Sequence, residues 1–398
     1  MRVSLPRVEL IKDLERSIAE GHPWLWDRAV RWPSSKPAAG ALVEVVRRGQ
    51  PLALGWADPG APIAVRIIDR PGAQVGPAWA RRRAAAAAAM RAADPLLAGT
   101  DALRAVHGEN DDLAGLIIDL YAGWGVAVFD GAGAAAFWRP LIEEVAAGIR
   151  DAGLAMAALW GKPQRGRGGA GEGAALLGDP PPDPIVIDEH GARFEVDVRR
   201  GQKTGLFLDQ RANRRLVGQL AAGAEVLNLF GYTGGFSVHA ALGGARRVTT
   251  VDLAAPAIAA ARRNFALNRI DPERHRFETA DCFELLAAAE RGHERWDLVI
   301  CDPPSFAPSE RSRPAALAAY RRLQLACLGV IAAGGTLVTA SCSSHVGASD
   351  LLELLASASA ERGRRVRVRH ILGAGSDHPV RPGFPEGRYL DLLVCSVE

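Results

Sequence analysis

The stretch from Glu225 to Asp252, "EVLNLFGYTGGFSVHAALGGARRVTTVD", decides the fold. It opens on an apolar run of strand length, "EVLNLF", and turns through Gly231, Gly234 and Gly235. It continues as "FSVHAAL", which starts a helix, and closes on a second strand, "RVTTVD". A strand, a glycine turn, a helix and a strand make a βαβ unit, which requires parallel pairing. The alternation persists downstream. "APAIAAARRNFALN", "FELLAAAE", "PAALAAYRRLQLACLGVIA" and "SDLLELLASAS" read as helices, while "RFETA", "WDLVICD", "GTLVTAS", "RVRVRHIL" and "YLDLLVCSV" read as strands. Seven strands with crossover helices predict an α/β, doubly wound sheet whose ligands lie outside the carboxyl ends of the strands.

Upstream the texture differs. From Val3 to about Asp69, short β-like pieces ("ALVEVV", "PLALGWA", "IAVRIID") alternate with turn residues, the pattern of a small barrel. Beyond Arg81 the chain reads as helix through Met90 and Arg91, then as strands "GLIIDLY" and "GVAVFD", then as a helix through "WRPLIEEVAAGIRDAG", giving a compact α/β middle piece. The Gly- and Pro-rich "GKPQRGRGGAGEGAALLGDPPPDP" reads as a linker, and "IVIDEHGARFEVDV" as a hairpin turning at His190-Gly191. These shifts divide the chain into domains 1–75, 76–184 and 185–398.

Composition narrows the class. Of 398 residues, 48% are apolar and 23% charged, a globular balance, and the net charge of +3 permits nucleic acid as partner without demanding it. Five cysteines form no CxxC pair, an odd count gives no disulfide framework, and no zinc spacing occurs, so a reducing compartment and no metal are expected. Charges run through "MRVSLPRVELIKDLERSIAEGHPW", unlike a signal peptide, and no apolar run suits a membrane span. A cytoplasmic location without membrane partners follows as the expectation.

The polar motifs fall at strand ends. The glycine loop follows the first strand, Asp252 ends the second about 20 residues on, where a carboxylate accepts ribose hydroxyls, and Asp281 in "TADCF" follows the third. Singly, each carboxylate reads equally well as a loop or helix-cap residue. Together they fit a ligand containing adenosine. No second phosphate fingerprint and no GxxxxGK[ST] run occurs, which disfavours dinucleotides and nucleoside triphosphates and leaves S-adenosylmethionine. The fourth strand ends "VICDPPSFAPSE", a rigid corner that aims Asp302 at a flat polar group, and the fifth ends at Cys342 in "VTASCSSHV".

A free cysteine is commonly a small core residue, but one beside a carboxylate and a methyl donor has a specific use. Thiolate addition to carbon 6 of a pyrimidine makes carbon 5 nucleophilic, and Asp302 would hold or protonate the ring at nitrogen 3. His345 reads as a helix-start or packing residue.

At these residues the sequence resembles the bacterial 23S ribosomal RNA large-subunit methyltransferase I family, S-adenosylmethionine-dependent cytosine carbon-5 methyltransferases. The strings that carry the resemblance are "GQKTGLFLDQRANRR", "VLNLFGYTGGFSVHAALGGA", "DLVICDPPSFA", "SCSSHV" and "DHPVRPGFPEGRYLDLL". Further upstream "GHPWLWDRAV" resembles the family's RNA-binding PUA domain, and "RAVHGENDDLAGLIIDLY" its middle domain. The resemblance implies a class I, Rossmann-like methyltransferase domain behind a PUA-like barrel and a middle domain. It implies that Cys342 is the nucleophile and Asp302 lies against the base. Phe207, Gln210, Asn228, Phe230, Tyr232, Thr233, Gly234, Asp252, Asp281, Cys282 and Asp302 would line the cofactor, Phe207 and Gln210 from a hairpin-like entry, "GLFLDQR". Lys203, Arg211, Arg214 and Arg215 would face RNA phosphate or stand as solvated charges. The implied substrate is 23S ribosomal RNA, free or in a subunit precursor, and a homodimer is open.

Two departures stand out: "PGAPIAVRII" follows Asp58 where the family usually has a serine-containing turn, and Asp391 stands where a lysine is usual. The sequence also resembles the guanine-methylating half of a related fused enzyme, which needs no cysteine. Methylation of a base nitrogen, and a non-catalytic RNA-binding or assembly factor, are the rival readings.

Overall fold

Buried parallel strands must satisfy every backbone group through their neighbours, and this requirement organises the second half of the chain. The computed structural model describes residues 5–162, 173–307 and 309–398, so the RGRGG run at 165–169 lies outside the described residues. The chain forms two units. One comprises residues 1–187, 196–208 and 376–387, the other 188–195, 209–375 and 388–398.

The second unit is built on a single sheet of β1 (Glu225–Leu229), β2 (Arg247–Asp252), β3 (Arg276–Thr279), β4 (Trp296–Cys301), β5 (Ile331–Ser341), β6 (Val366–Leu372) and β7 (Asp391–Val397). Its spatial order is β3-β2-β1-β4-β5-β7-β6. The first five strands pair in parallel, and β7 runs antiparallel to both β5 and β6. Because the order reverses between β1 and β4, a crevice opens at their carboxyl ends. Helices α1 (Arg211–Leu220), α2 (Gly235–Leu242), α3 (Ala255–Leu267), α4 (Cys282–Arg291), α5 (Arg313–Val330) and α6 (Ala348–Arg362) complete the unit. The expected seven-stranded doubly wound sheet is therefore present, strand for strand.

Helix α1 reaches α2 by backbone contact. A Cβ on Gly243, just past α2, would stand 1.9 Å from the carbonyl oxygen of Gly218 in α1, so no side chain fits between them. A buried ion pair sits nearby in the fold. Arg214 of α1 forks onto Glu189 at 2.7 and 2.6 Å, and His239 Nε2 of α2 lies 3.0 Å from the same carboxylate. Burial alone would raise the carboxyl pKa of Glu189. The Arg214 charge, with hydrogen bonds from His239 and Arg214, more than offsets this and holds it well below the usual range. Glu189 belongs to the hairpin Ile185–Glu189 with Ala192–Val196, which turns where the sequence predicts.

In the first unit, strands 7–10, 24–26, 30–31, 42–47, 50–57 and 63–69 form a six-stranded, barrel-like sheet around Val8, Leu25, Val43, Val45 and Val65. A second sheet of five strands follows, 102–107, 116–121, 124–129, 158–161 and 174–177, with helices Pro77–Ala92 and Ile142–Asp151 packed on each other. One expectation is corrected here and one strand is added. Residues 174–177, read as linker, are an edge strand paired with 158–161, and Ala102–His107 is a strand with every residue buried although it carries Arg104 and His107.

Its charges are absorbed internally. Arg104 forks onto Asp119 at 2.7 and 3.0 Å, and Arg91 onto Asp111 at 2.8 Å through both nitrogens. The late segment 376–387 joins this network. Asp377 accepts from the Arg104 amide at 2.8 Å, its carbonyl accepts from Arg91 at 2.9 Å, and the His378 ring packs on His107 with centroids 5.0 Å apart. Burial, helped by Arg104 and His378, pushes His107 well below the ordinary histidine range and keeps it neutral. Among the described residues no helix is long and apolar enough to cross a membrane.

Gly243→Ala is expected to lower stability by about 1–3 kcal/mol, read as a reduced urea midpoint with unchanged slope. Glu189→Gln removes the carboxylate charge on which the buried Arg214 fork is seated, at a cost of about 3–5 kcal/mol at pH 7. The folded carboxyl titrates below its unfolded value, so the wild-type advantage is complete above the unfolded range. It is lost as pH falls through the folded value. The urea midpoints of the two proteins should therefore converge on acidification.

Candidate active site

Register aligns the strand ends. Leu229 of β1 stands opposite Val251 of β2 and Cys301 of β4, and Cys301 opposite Thr339 of β5. One residue further on, Phe230, Asp252 and Asp302 therefore emerge in one row, with Cys342 at the end of β5 beside them.

The loop after β1 is held in a strained shape. Phe230 and Tyr232 take positive φ of 57° and 46°, unfavourable for side chains of that size and typical of ligand loops. Gly234, at φ 81°, would with a Cβ press on Ala261 at 3.0 Å. Asp252 fastens the loop: one oxygen accepts from the Tyr232 amide and the other from the Ala254 amide, both at 2.9 Å. Half-buried, that carboxylate keeps further lone pairs for a ribose. Asn228 is buried beneath the loop, donating to Ser237 Oγ at 2.8 Å, and its Oδ1 meets no donor among the described residues. Thr233 is half-buried on the same loop.

Asp281 caps α4, accepting from the Phe283 and Glu284 amides at 2.8 and 3.1 Å, and remains half-buried. The thiol of Cys282 beside it is buried and pushed up to about 12, by burial first and by the charges of Asp252 and Asp281. Strained glycine loop, Asp252 and the spare acceptor on Asn228 fit the adenosine and amino-acid parts of S-adenosylmethionine.

Asp302, half-buried after β4, accepts from Gln210 Nε2 at 2.9 Å. Asn213, which the sequence reading passed over, donates to Gln210 Oε1 at 2.6 Å. The segment "GLFLDQR" is no hairpin. Leu208–Gln210 is a single 3₁₀ turn feeding straight into α1.

Cys342 is the one cysteine of five that is not buried, and its Sγ donates to the Pro303 carbonyl at 3.7 Å. The other environments suit inert thiols. Cys395 is pushed up to about 12 by burial, and Cys301 lies well above the ordinary range because of its hydrogen bond with Cys327 and its burial. Tyr320 of α5, also missed, is buried near Ser341. Its phenol is raised by burial and by the charges of Cys342 and Asp302.

The basic residues need correcting. Arg211 and Arg214 are each 2% exposed, so neither is a solvated charge, and the Arg214 fork is engaged by Glu189 rather than open to phosphate. Arg215 and Lys203 are exposed. Lys203 and Phe207 belong to the first unit, where the ammonium lies 4.6 Å from the ring centroid.

Asp391 accepts from Arg388 at 2.6 Å and from the Ala348 amide at 3.1 Å, so it secures the start of α6 and recruits a positive charge of its own. His345 Nδ1 lies 3.2 Å from Glu310.

A model of S-adenosylmethionine-dependent methyltransferases matches residues 169–367, and a PUA-like domain model matches 8–70. A ribosomal RNA large subunit methyltransferase of Deinococcus radiodurans is 40% identical, covering 99% of this chain and 98% of its own length. Ribosomal RNA large subunit methyltransferase I of Aeromonas salmonicida is 33% identical over 97% and 98% respectively. A methyltransferase solved with S-adenosylhomocysteine shares the fold at a TM-score of 0.83 and 23% identity, over 99% of this chain and all (100%) of that one.

Native alkylation should discriminate the thiols. Brief iodoacetamide treatment followed by peptide mass mapping is expected to label Cys342 at least about tenfold faster than Cys282, Cys301, Cys327 or Cys395, which should react only on unfolding.

Proposed function

This chain belongs to the S-adenosylmethionine-dependent ribosomal RNA large-subunit methyltransferases, and from that premise we propose that it forms 5-methylcytidine in 23S ribosomal RNA with Cys342 as nucleophile. The observation that carries the reading is the position of Cys342: the only thiol that is not buried lies at a strand end, against the segment that follows Asp302. We assign residues 1–75 to holding RNA, 76–184 to a middle domain and linker, and 185–398 to catalysis.

The chemistry follows from what each group does. With the target base flipped out of its stack, the Cys342 thiolate adds to carbon 6, and the electron pair of the 5,6 double bond moves into the ring. Asp302 stands against the exocyclic amino group and accepts from it, which fixes the ring beside Cys342 and the methyl donor. S-adenosylmethionine supplies a methyl group on a sulfonium sulfur that leaves as a neutral thioether. Carbon 5 takes that methyl, then gives its proton to water. The returning electron pair restores the double bond and expels the thiolate of Cys342. The Asp252-fastened loop, with Phe230, Tyr232, Thr233 and Gly234, and the Asp281 carboxylate would hold the cofactor, with the buried Cys282 in support.

The test uses labelled S-adenosylmethionine with large-subunit RNA lacking the modification, free and in assembled particles, and identifies the labelled nucleoside by mass spectrometry. Label is expected in 5-methylcytidine. Cys342→Ala should lower the rate by roughly 10³-fold or more, and Asp302→Asn by about 10²–10⁴-fold. Label that persists without Cys342, or that sits on a ring or exocyclic nitrogen, would replace this mechanism with nitrogen methylation. Binding of RNA with no transfer at all would make the protein an assembly factor.

A further inference from the structure

Gln210 and Asn213 are 3% and 2% exposed, and their amides form a directed chain that ends on Asp302. Its direction is fixed from one end. Asn213 Nδ2 donates to the carbonyl oxygen of Gly373, just past β6, at 3.1 Å, and to Gln210 Oε1 at 2.6 Å. A main-chain carbonyl only accepts, so reversing the Asn213 amide would set its oxygen against two others. Gln210 is thereby oriented with Oε1 toward Asn213 and Nε2 toward Asp302 Oδ2, 2.9 Å away. With these groups withdrawn from water, a wrong orientation would leave buried polar atoms opposed and unmatched.

An amide N–H donating to a carboxyl group favours its ionised, accepting form. A carboxylate that only accepts can pair with the exocyclic amino group of cytosine. It repels the carbonyl oxygen that uracil carries at the same position. We propose that Asn213 is a specificity-determining positioning residue, which holds Asp302 as an acceptor through Gln210 and so selects cytosine over uracil. The proposal rests on the reading of this site as a pyrimidine carbon-5 methyltransferase. It moves Gln210 from the cofactor to the base-recognition apparatus, and it ties selection to two residues that themselves need not touch the base.

The variants follow from the orientation. In Asn213→Asp, two carboxylate oxygens would face Gly373 O and Gln210 Oε1, which forces the Gln210 amide to turn. Its oxygen then meets Asp302, a pairing that requires Asp302 to carry a proton and to donate. Gln210→Glu removes the fixed Nε2 donor and sets a second carboxyl group against Asp302, so the two share a proton that Asp302 can carry and donate. A donating Asp302 accepts uracil.

The experiment compares two RNAs that carry the mapped position as cytidine or as uridine, in single-turnover methylation at saturating S-adenosylmethionine, with wild type, Asn213→Asp and Gln210→Glu. Product identity is scored by mass spectrometry and cofactor affinity by calorimetry. The ratio of cytidine to uridine rates does not depend on how much of a variant is folded. It is expected to fall at least about tenfold in both variants, with cofactor affinity unchanged. An unchanged ratio with slower turnover overturns the proposal and leaves the pair as packing. An unchanged ratio with weakened cofactor binding overturns it in favour of a cofactor role for Gln210. Absence of 5-methylcytidine from the wild-type reaction on the cytidine RNA would refute the reading of the site itself, and the proposal with it.

Discussion

Parallel pairing of β1 with β4 is the constraint on which the site depends. Both strands are buried, so neither can shift by a residue without leaving backbone groups unmatched and turning its apolar side chains away from the core. Leu229, Cys301 and Thr339 stand opposite one another in the fixed register, and the residues that follow are delivered to one edge of the sheet. Catalytic placement here is a matter of counting along strands. The loops add only fine adjustment, with Asp252 clasping two amides and the prolines after Asp302 limiting where that carboxylate can go.

Around that edge the fold uses buried charge sparingly and completely. Glu189, Arg214 and His239 share one carboxylate, and Arg104 with Asp119 and Arg91 with Asp111 repeat the bidentate arrangement in the first unit. Such pairs add little net stability over apolar side chains of the same volume, but removing either partner is expensive. They tie particular segments to particular places. The glutamate of a hairpin is fixed to α1, and α1 in turn carries Gln210 and Asn213 at its start.

The same feature explains what was and was not legible in the sequence. Buried parallel strands are uninterrupted apolar runs punctuated by glycine and aspartate, so β1 to β5, their crossover helices and the polar residues at their ends could be read directly. Strand 102–107 could not, because Arg104 and His107 look like surface residues until Asp119 and Asp377 are seen opposite them. Arg211 and Arg214 looked solvated for the same reason. A carboxylate 25 residues away in the chain cancels Arg214. Asn213 left no trace at all, since an asparagine in a polar helix start has no signature until the Gly373 carbonyl, 160 residues later, gives its amide a direction. Motif residues that act alone are visible in one dimension; those that act through a distant partner are not.

The excursion of residues 376–387 into the first unit bears on how the protein is made. Its Asp377 meets the Arg104 amide, Phe384 packs edge-on to Trp24 with centroids 4.6 Å apart, and a Cβ on Gly383 would lie 2.0 Å from the Glu20 carbonyl. Residues 1–187 leave the ribosome long before this segment does. Through most of elongation, the contacts that Asp377 and Phe384 make with Arg104 and Trp24 are therefore missing. Chains usually mature from the amino end, one domain after another. This one can finish its earliest portion only after residues 376–387 have been made, which makes completion of the amino-terminal half a late event and a fragment ending at 187 an unfinished object.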